Sequence, residues 1–473
     1  MTRKTKTLKN QMKNKLLNSI LIAIPIFFGL HNIANAQSIA AGEDHSFFLC
    51  TNGTVQGVGG NSSGQLGDGS NLSRITPVQL PLLTGVTGFD GGNWHSVFVK
   101  NDGTAWTVGR NNYGQLGDGT LVDKNIPLQV PGLTGITAVS GGSGYSVFLK
   151  NDGTVWSVGY NFFGELGDGT TVYKSLPVQV LGLTGIIAIV ASNQFTLYLK
   201  NDGTVWASGR NQFGQFGNGT TSNFNTIPLQ ILGLTGITAI SAGGGFSVFL
   251  KNDGTVWATG ENGYGQLGDG TLVSKTTPVQ VLGMTGITAV AVGTHHALFL
   301  KNDTTVWAVG HNNNGTLGDG TIVHKSIPVQ VLGLTGITQV AAGSFHSLFL
   351  KNDGTVWAVG NNSSANLGDG TVVDRSIPVQ PVGLCSVGLG IEESATVNAI
   401  SVYPNPCNGD LFIELDGYQN TTAEIFNIQG QLVQNIVLQS FQTSLQINHL
   451  TSGVYLVQVK NPKGLVVKKI IKN

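Results

Sequence analysis

Histidines, aspartates and tryptophans recur in this sequence at fixed slots about 50 residues apart. One slot holds His45, His95, Tyr145, Phe195, Phe246, His296 and His346. Metal binding needs imidazoles that converge at a set spacing. A slot that accepts phenylalanine, with members a whole repeat apart, reads instead as packed rings with one satisfied hydrogen bond. A second slot holds Asp68, Asp118, Asp168, Asp269, Asp319 and Asp369, with Asn218 in the fourth repeat. A calcium loop needs several alternating oxygen ligands. One acid in each L-G-D-G-T run is an Asx-type turn. A third slot holds Trp106, Trp156, Trp206, Trp257, Trp307 and Trp357, with Gln56 in the first repeat, and reads as core. No nucleophile elbow, HExxH, phosphate-binding glycine loop or isolated carboxylate pair stands out. The sequence points to no catalytic residue, no metal and no cofactor.

Scaffold positions repeat, whereas positions that recognise a ligand are free to differ. The pair just before the histidine slot varies most: Glu43-Asp44, Asn93-Trp94, Ser143-Gly144, Asn193-Gln194, Gly244-Gly245, Thr294-His295 and Ser344-Phe345. The candidate binding residues are therefore Glu43, Asp44, Asn93, Trp94, Asn193, Gln194, His295 and Phe345, expected to share one face. Trp94, His295 and Phe345 are its largest side chains, and exposed aromatics are common interface anchors.

The elements that must position these residues are strands. K-N-D-G-T begins at Lys100, Lys150, Lys200, Lys251 and Lys351, with KNDTT at Lys301 and CTNGT at Cys50. SVFLK (146–150) and TVWSVG (154–159) flank an Asn-Asp-Gly hairpin turn. GITAV and PVQV (177–180) supply two more strands, the proline suiting an edge. Low charge (11 %) and 68 glycines fit a turn-rich all-β chain. Four short strands per unit, seven times over, predict a seven-bladed β-propeller over 37–385. A solenoid coil of 50 residues would be unusually long. Lys+Arg equals Asp+Glu, 25 each, so no charge excess favours nucleic acid.

Repeats with G-x-x-H-S, D-G-x-V-W-x-x-G and G-Q-L-G-D-G-T at fixed offsets resemble the regulator of chromosome condensation family, across residues 38–384. The resemblance implies a seven-bladed propeller and does not imply a function. The namesake's guanine-nucleotide exchange uses a wedge-like insertion in one blade. Here the repeat spacings are 50, 50, 51, 50 and 50, with the extra residue near Asn223, which leaves no room for a wedge.

Both ends read as export signals. Residues 1–36 carry a basic start, an apolar run from Leu16 to Leu30 and a small-x-small site at Ala34-Asn35-Ala36, the layout of a secretory signal. That run contains Pro25 and is too short for a membrane span, so no stable span is expected. Residues 386–399 read as a linker. From 400 to 473, alternating strands predict a small antiparallel β-sandwich. Its motifs Tyr403-Pro404-Asn405-Pro406 and Gly453-Val454-Tyr455 resemble the type A sorting domain of the Bacteroidetes type IX secretion system, which implies handling by that translocon. The exported context permits a disulfide. Cys50 and Cys385 would meet on ring closure, and Cys385–Cys407 is the rival pairing. The function expected is a secreted or outer-surface module binding a protein or glycan. An extracellular polysaccharide-acting enzyme is the alternative.

Overall fold

The computed structural model describes residues 36–385, 400–415, 421–427, 432–461 and 464–473. The expected signal segment, apart from Ala36, and the expected linker lie outside the described residues. Each repeat forms one four-stranded antiparallel sheet, seven in all. In the first, Ala36–Ala41, His45–Cys50, Val55–Gly59 and Arg74–Gln79 pair in chain order. The first strands of all seven sheets line a central channel, so the fourth strands lie outermost.

Local chemistry accounts for each element. In the turn after Lys100, Asp102 Oδ1 accepts from the Thr104 amide and hydroxyl, and Gly103 adopts φ +75, which glycine allows without a Cβ clash. The second strands, such as Phe246–Lys251, are buried along almost their whole length. They pack between neighbouring sheets: Phe246 and Val248 join Ala297 and Phe299 of the next blade in one cluster. Two details differ from the expectation. The outer strand of the third blade runs from Lys174 to Gln179, starting three residues before Pro177. It lies at a sheet edge, where a missing N–H breaks no ladder. The tryptophans are half-buried rather than core, because their strand position faces the blade margin. There Lys100 lies 4.0 Å from the Trp106 ring.

The glycines beside the axis answer to crowding. A Cβ on Gly92 would sit 2.3 Å from a carbon of the His95 ring and 2.7 Å from the Gly142 carbonyl of the next blade. The aromatic slot then links blades. His45 Nε2 lies 2.9 Å from Ser96 Oγ, and that hydroxyl donates to the Gln65 carbonyl at 2.7 Å. With the serine proton so committed, the imidazole Nε2–H is the donor, and Nδ1 has no partner. The relay repeats from His95 to Ser146, His296 to Ser347 and His346 to Ser46. Tyr145 instead donates to the Phe195 carbonyl at 2.6 Å.

Because every blade is built from its own four strands, no strand is shared between the last blade and the first. Two backbone bonds cross that seam, Ala36 N to the Gly354 carbonyl and Gly370 N to the Ile75 carbonyl, each at 3.0 Å, and side chains complete the closure. Cys50 and Cys385 form a disulfide, and Cys407 is a buried free thiol. Gln339 offers both ends of its amide to the backbone of Ile39, each at 3.2 Å. Gln56, which replaces tryptophan, accepts from the Cys385 amide at 2.9 Å.

The C-terminal residues form a three-stranded sheet (Ile400–Tyr403, Asp410–Leu415, Gln442–Gln446) and a four-stranded one (Leu432–Val437, Thr422–Asn427, Gly453–Asn461, Gly464–Lys472). Leu411, Ile413, Ile425, Leu445, Val457 and Ile470 belong to one core between them. The segment after Tyr403 is held by its neighbours. Asn405 Oδ1 accepts from Ile471 N at 2.9 Å, and Gln442 donates to the Tyr403 hydroxyl at 2.7 Å. Tyr455, two residues after Gly453, donates to the Thr451 carbonyl at 2.9 Å.

Two predictions follow from the closure and the relay. Replacing both Cys50 and Cys385 by serine should keep the β-sheet circular dichroism spectrum and lower Tm by roughly 5 °C or more, since the bond closes a very long loop. An unchanged Tm would mean that the seam holds without it. The relay histidines are pushed down by burial, His45, His296 and His346 to about 3 and His95 to about 4. Their unfolded value is about 6.5, so the unfolded chain takes protons first. Stability then falls as pH drops from about 6.5 towards 3–4, by roughly 2–3 kcal/mol per histidine near pH 4.5. Burial pushes Asp90 up to about 6 and Glu165 up to about 8, which acts in the opposite sense. The contrast with a variant carrying phenylalanine at all four histidines isolates the effect: its melting temperature should fall less between pH 6.5 and 4.5. Parallel pH profiles would refute the account.

Candidate binding face

In an antiparallel blade, the turn between the first and second strands and the loop after the third strand lie at the same end. Backbone bonds hold them together: Arg110 N donates to the Trp94 carbonyl at 2.8 Å, and His311 N to that of His295 at 2.9 Å. The loop is organised by an asparagine that recurs in every repeat. Asn111 is fully buried; its Oδ1 accepts from Leu116 N at 2.9 Å and its Nδ2 donates to Asp118 and the Thr120 carbonyl. Burial pushes the Asp118 carboxyl up, but the Thr120 donors, Asn111 and Lys124 together hold it below the usual range. That aspartate is consumed in holding its loop. Among the described residues, no three His, Cys, Asp or Glu side chains are placed to hold a metal ion.

The paired variable residues divide by radius. Glu43, Asn93 and Asn193, with Gly244, Thr294 and Ser344, line the central channel, which encloses about 330 Å³. Burial, then the neighbouring Asp44, pushes Glu43 up to about 7, and its Oε2 is buried without a hydrogen-bond partner. Burial also raises Asp44. Deeper in the channel is Asp90, which accepts from Ser140 Oγ at 2.9 Å and from the Gly141 amide at 3.1 Å.

The second members of the pairs turn outward and meet the third-strand loops. Trp94 is 38 % exposed and lies 4.6 Å beneath the Arg110 guanidinium. Gln194 accepts from Arg210. His295 sits 3.5 Å from Glu261 and beside Tyr264. Phe345 packs on His311, with ring centres 5.4 Å apart. Burial, then His324 and His295, lowers His311 to about 4.

These loop partners form a second variable ring, not picked out from the sequence. The residue before the loop asparagine is Gly60, Arg110, Tyr160, Arg210, Glu261, His311 or Asn361. The test applied to the first pair, divergence at a repeated slot, finds this slot too. On blade 3, Tyr160 packs with Tyr113 and Tyr173. On blade 4 the inserted residue shortens the outer strand to Leu229–Gln230 and brings Phe224 onto Phe163, stacked at 5.9 Å. The pair Ser143-Gly144 adds no bulk, and Gly144 leaves room for Tyr113, 3.0 Å from where its Cβ would be.

The geometry finds its relatives among known propellers. A family model for the RCC1-like domain matches residues 136–401. Models for the regulator of chromosome condensation (RCC1) repeat match 102–149, 36–65 and 86–115, and one for the secretion system C-terminal sorting domain matches 401–473. Human WBSCR16 is similar in structure, with a TM-score of 0.62 at 23 % identity over 69 % of this chain and 89 % of that one. Prp20p from Saccharomyces cerevisiae has a TM-score of 0.61 at 22 % identity over 73 % and 87 %. At these identities the likeness shows the fold alone. No curated protein matches. The chain belongs to the RCC1-like domain family and carries a secretion-system C-terminal sorting domain behind its propeller.

Proposed function

We propose that this chain is an exported binding propeller that holds an extracellular protein or glycan on its loop face and performs no catalysis. The observation that supports this most directly is how the repeat residues are used. The aromatic slot, the loop asparagine and the L-G-D-G-T aspartate are all spent on blades and loops. The residues that differ from blade to blade gather at one end of the propeller, around the channel mouth. Export rests on the sorting-domain match, with type IX secretion carrying the protein to the surface or the medium. Among the described residues no helix is long and apolar enough to cross a membrane.

The test uses the full chain as bait against surface proteins and glycans of the producing cell and its surroundings. Replacing Trp94, His295 and Phe345 together by alanine should weaken capture about a hundredfold, since each is an aromatic anchor, while leaving Tm nearly unchanged. Capture at wild-type strength by the triple variant would place the binding surface elsewhere. Turnover of a captured polysaccharide would favour the enzyme instead.

A further inference from the structure

The loop face is unevenly charged, and the unevenness lies in residues that the scaffold does not use. Nearly every cation of the propeller sits beside an acid of its own blade. The lysine of each K-N-D-G-T turn lies near the turn aspartate, as Lys200 does, 3.6 Å from Asp202. The Lys or Arg opening an outer strand pairs with the L-G-D-G-T aspartate, as Lys174 does with Asp168 at 3.2 Å. Among the described propeller residues, Lys100, Lys301, Arg110 and Arg210 have no ion pair within 4 Å. The two lysines lie over Trp106 and Trp307 at the K-N-D turns, where hydrogen bonds from Thr104 and Thr305, and then the lysine charges, lower Asp102 and Asp303. The two arginines stand instead on the loop face. They occupy the same slot on blades 2 and 4. Arg110 lies over Trp94, and no side-chain hydrogen bond takes up its N–H groups. Arg210 lies 4.8 Å over Phe163, steadied by Gln194 and Gln212, and its buried Nε faces no acceptor. Between them Tyr113 of blade 2 clusters with Tyr160 and Tyr173 of blade 3. Phe162 and Phe224, which pack against Phe163, are 47 % and 56 % exposed.

We propose that this arc over blades 2 to 4 binds an anionic polysaccharide, a chain of uronate or sulfated sugars. The proposal rests on the loop-face reading above and names its ligand class. A guanidinium presents a planar fork that fits a carboxylate or sulfate in two-point contact, and stacking on an aromatic ring holds that fork ready. The flat C–H face of a sugar covers an exposed aromatic ring. A repeating polymer suits donors that recur from blade to blade. A globular acidic partner would instead favour a compact apolar centre with a polar rim, whereas here rings and guanidinium groups alternate along an arc. The acids Asp44 and Glu261, on blades 1 and 5, flank the arc on either side, Glu261 lying 3.5 Å from His295.

The test measures binding of the full chain to polygalacturonate and dextran sulfate, with neutral dextran and a soluble β-glucan as controls. The wild type should bind the two polyanions and neither neutral polymer, and should bind less tightly as salt rises. Arg110→Gln with Arg210→Gln should weaken polyanion binding about tenfold or more. Lys200→Gln with Lys251→Gln removes the same charge at the turns and should change it little. Arg110→Lys with Arg210→Lys, which keeps charge but loses the fork, should fall between. Equal losses in the glutamine pairs, unchanged affinity in the arginine variant, or equal binding of neutral polymer would overturn the proposal. So would a face that captures only an acidic protein. The Trp94, His295 and Phe345 triple variant separates the two readings. A neutral or protein ligand lost in that variant leaves the loop face standing while this proposal falls. Polyanion binding that survives in both variants removes both.

Discussion

Seven similar wedges must close into a ring, and in this chain no strand crosses the gap between the last wedge and the first. The rest of the structure depends on that closure, because a blade of four short strands exposes an apolar face on each side until neighbours cover it. The seam is where the repeat departs from itself. Cys50 stands where other repeats have lysine. Gln56 stands in the tryptophan slot, and Gln339 where most blades have alanine. Each of these contacts the other side of the seam. The Gln339 amide does for Ile39 what a neighbouring strand would do, giving one donor and one acceptor. Apolar residues of both blades, among them Phe48, Val58, Leu348 and Val356, complete the contact.

The blades were legible in the sequence because each strand and turn is specified locally. The Asn-Asp-Gly turn fixes one hairpin, β-branched and aromatic runs fix its arms, and repetition confirms every boundary. The outer strand was placed three residues late because its first half, Lys174 to Leu176, carries no β pattern. It is strand because Gly159 pairs with Lys174 across a bulge. The tryptophans looked like core from composition, and only the register, with Trp156 facing Gln179 at the blade margin, shows otherwise. Gln56 and Gln339 were unreadable beforehand, since their partners are hundreds of residues away.

The candidate face was half legible. Divergence at a repeated slot picked out the pair before the histidine. The residue before the loop asparagine diverges in the same way, and Trp94, Gln194, His295 and Phe345 each contact that second ring. What no sequence pattern supplies is which free side chains meet. Arg110 reaches Trp94 within its own blade, while Arg210 reaches back across a blade boundary to Phe163. The single inserted residue on blade 4, which leaves no room for a wedge, has a smaller effect: it carries Phe224 onto a neighbouring ring.

Cys385 ends the propeller, and the chain leaves it towards the sorting domain. An edge strand such as Arg375–Val379, pulled from its free end, would peel open one hydrogen bond at a time. The bond to Cys50 redirects that load. Tension arriving from the C-terminal side passes through sulfur into the second strand of blade 1, His45–Cys50, which is buried along its whole length. That strand is paired on both sides, with Ala36–Ala41 and Val55–Gly59. A pull on the segment after Cys385 is thus shared with a strand of the first blade, not borne by the last blade's edge strand alone.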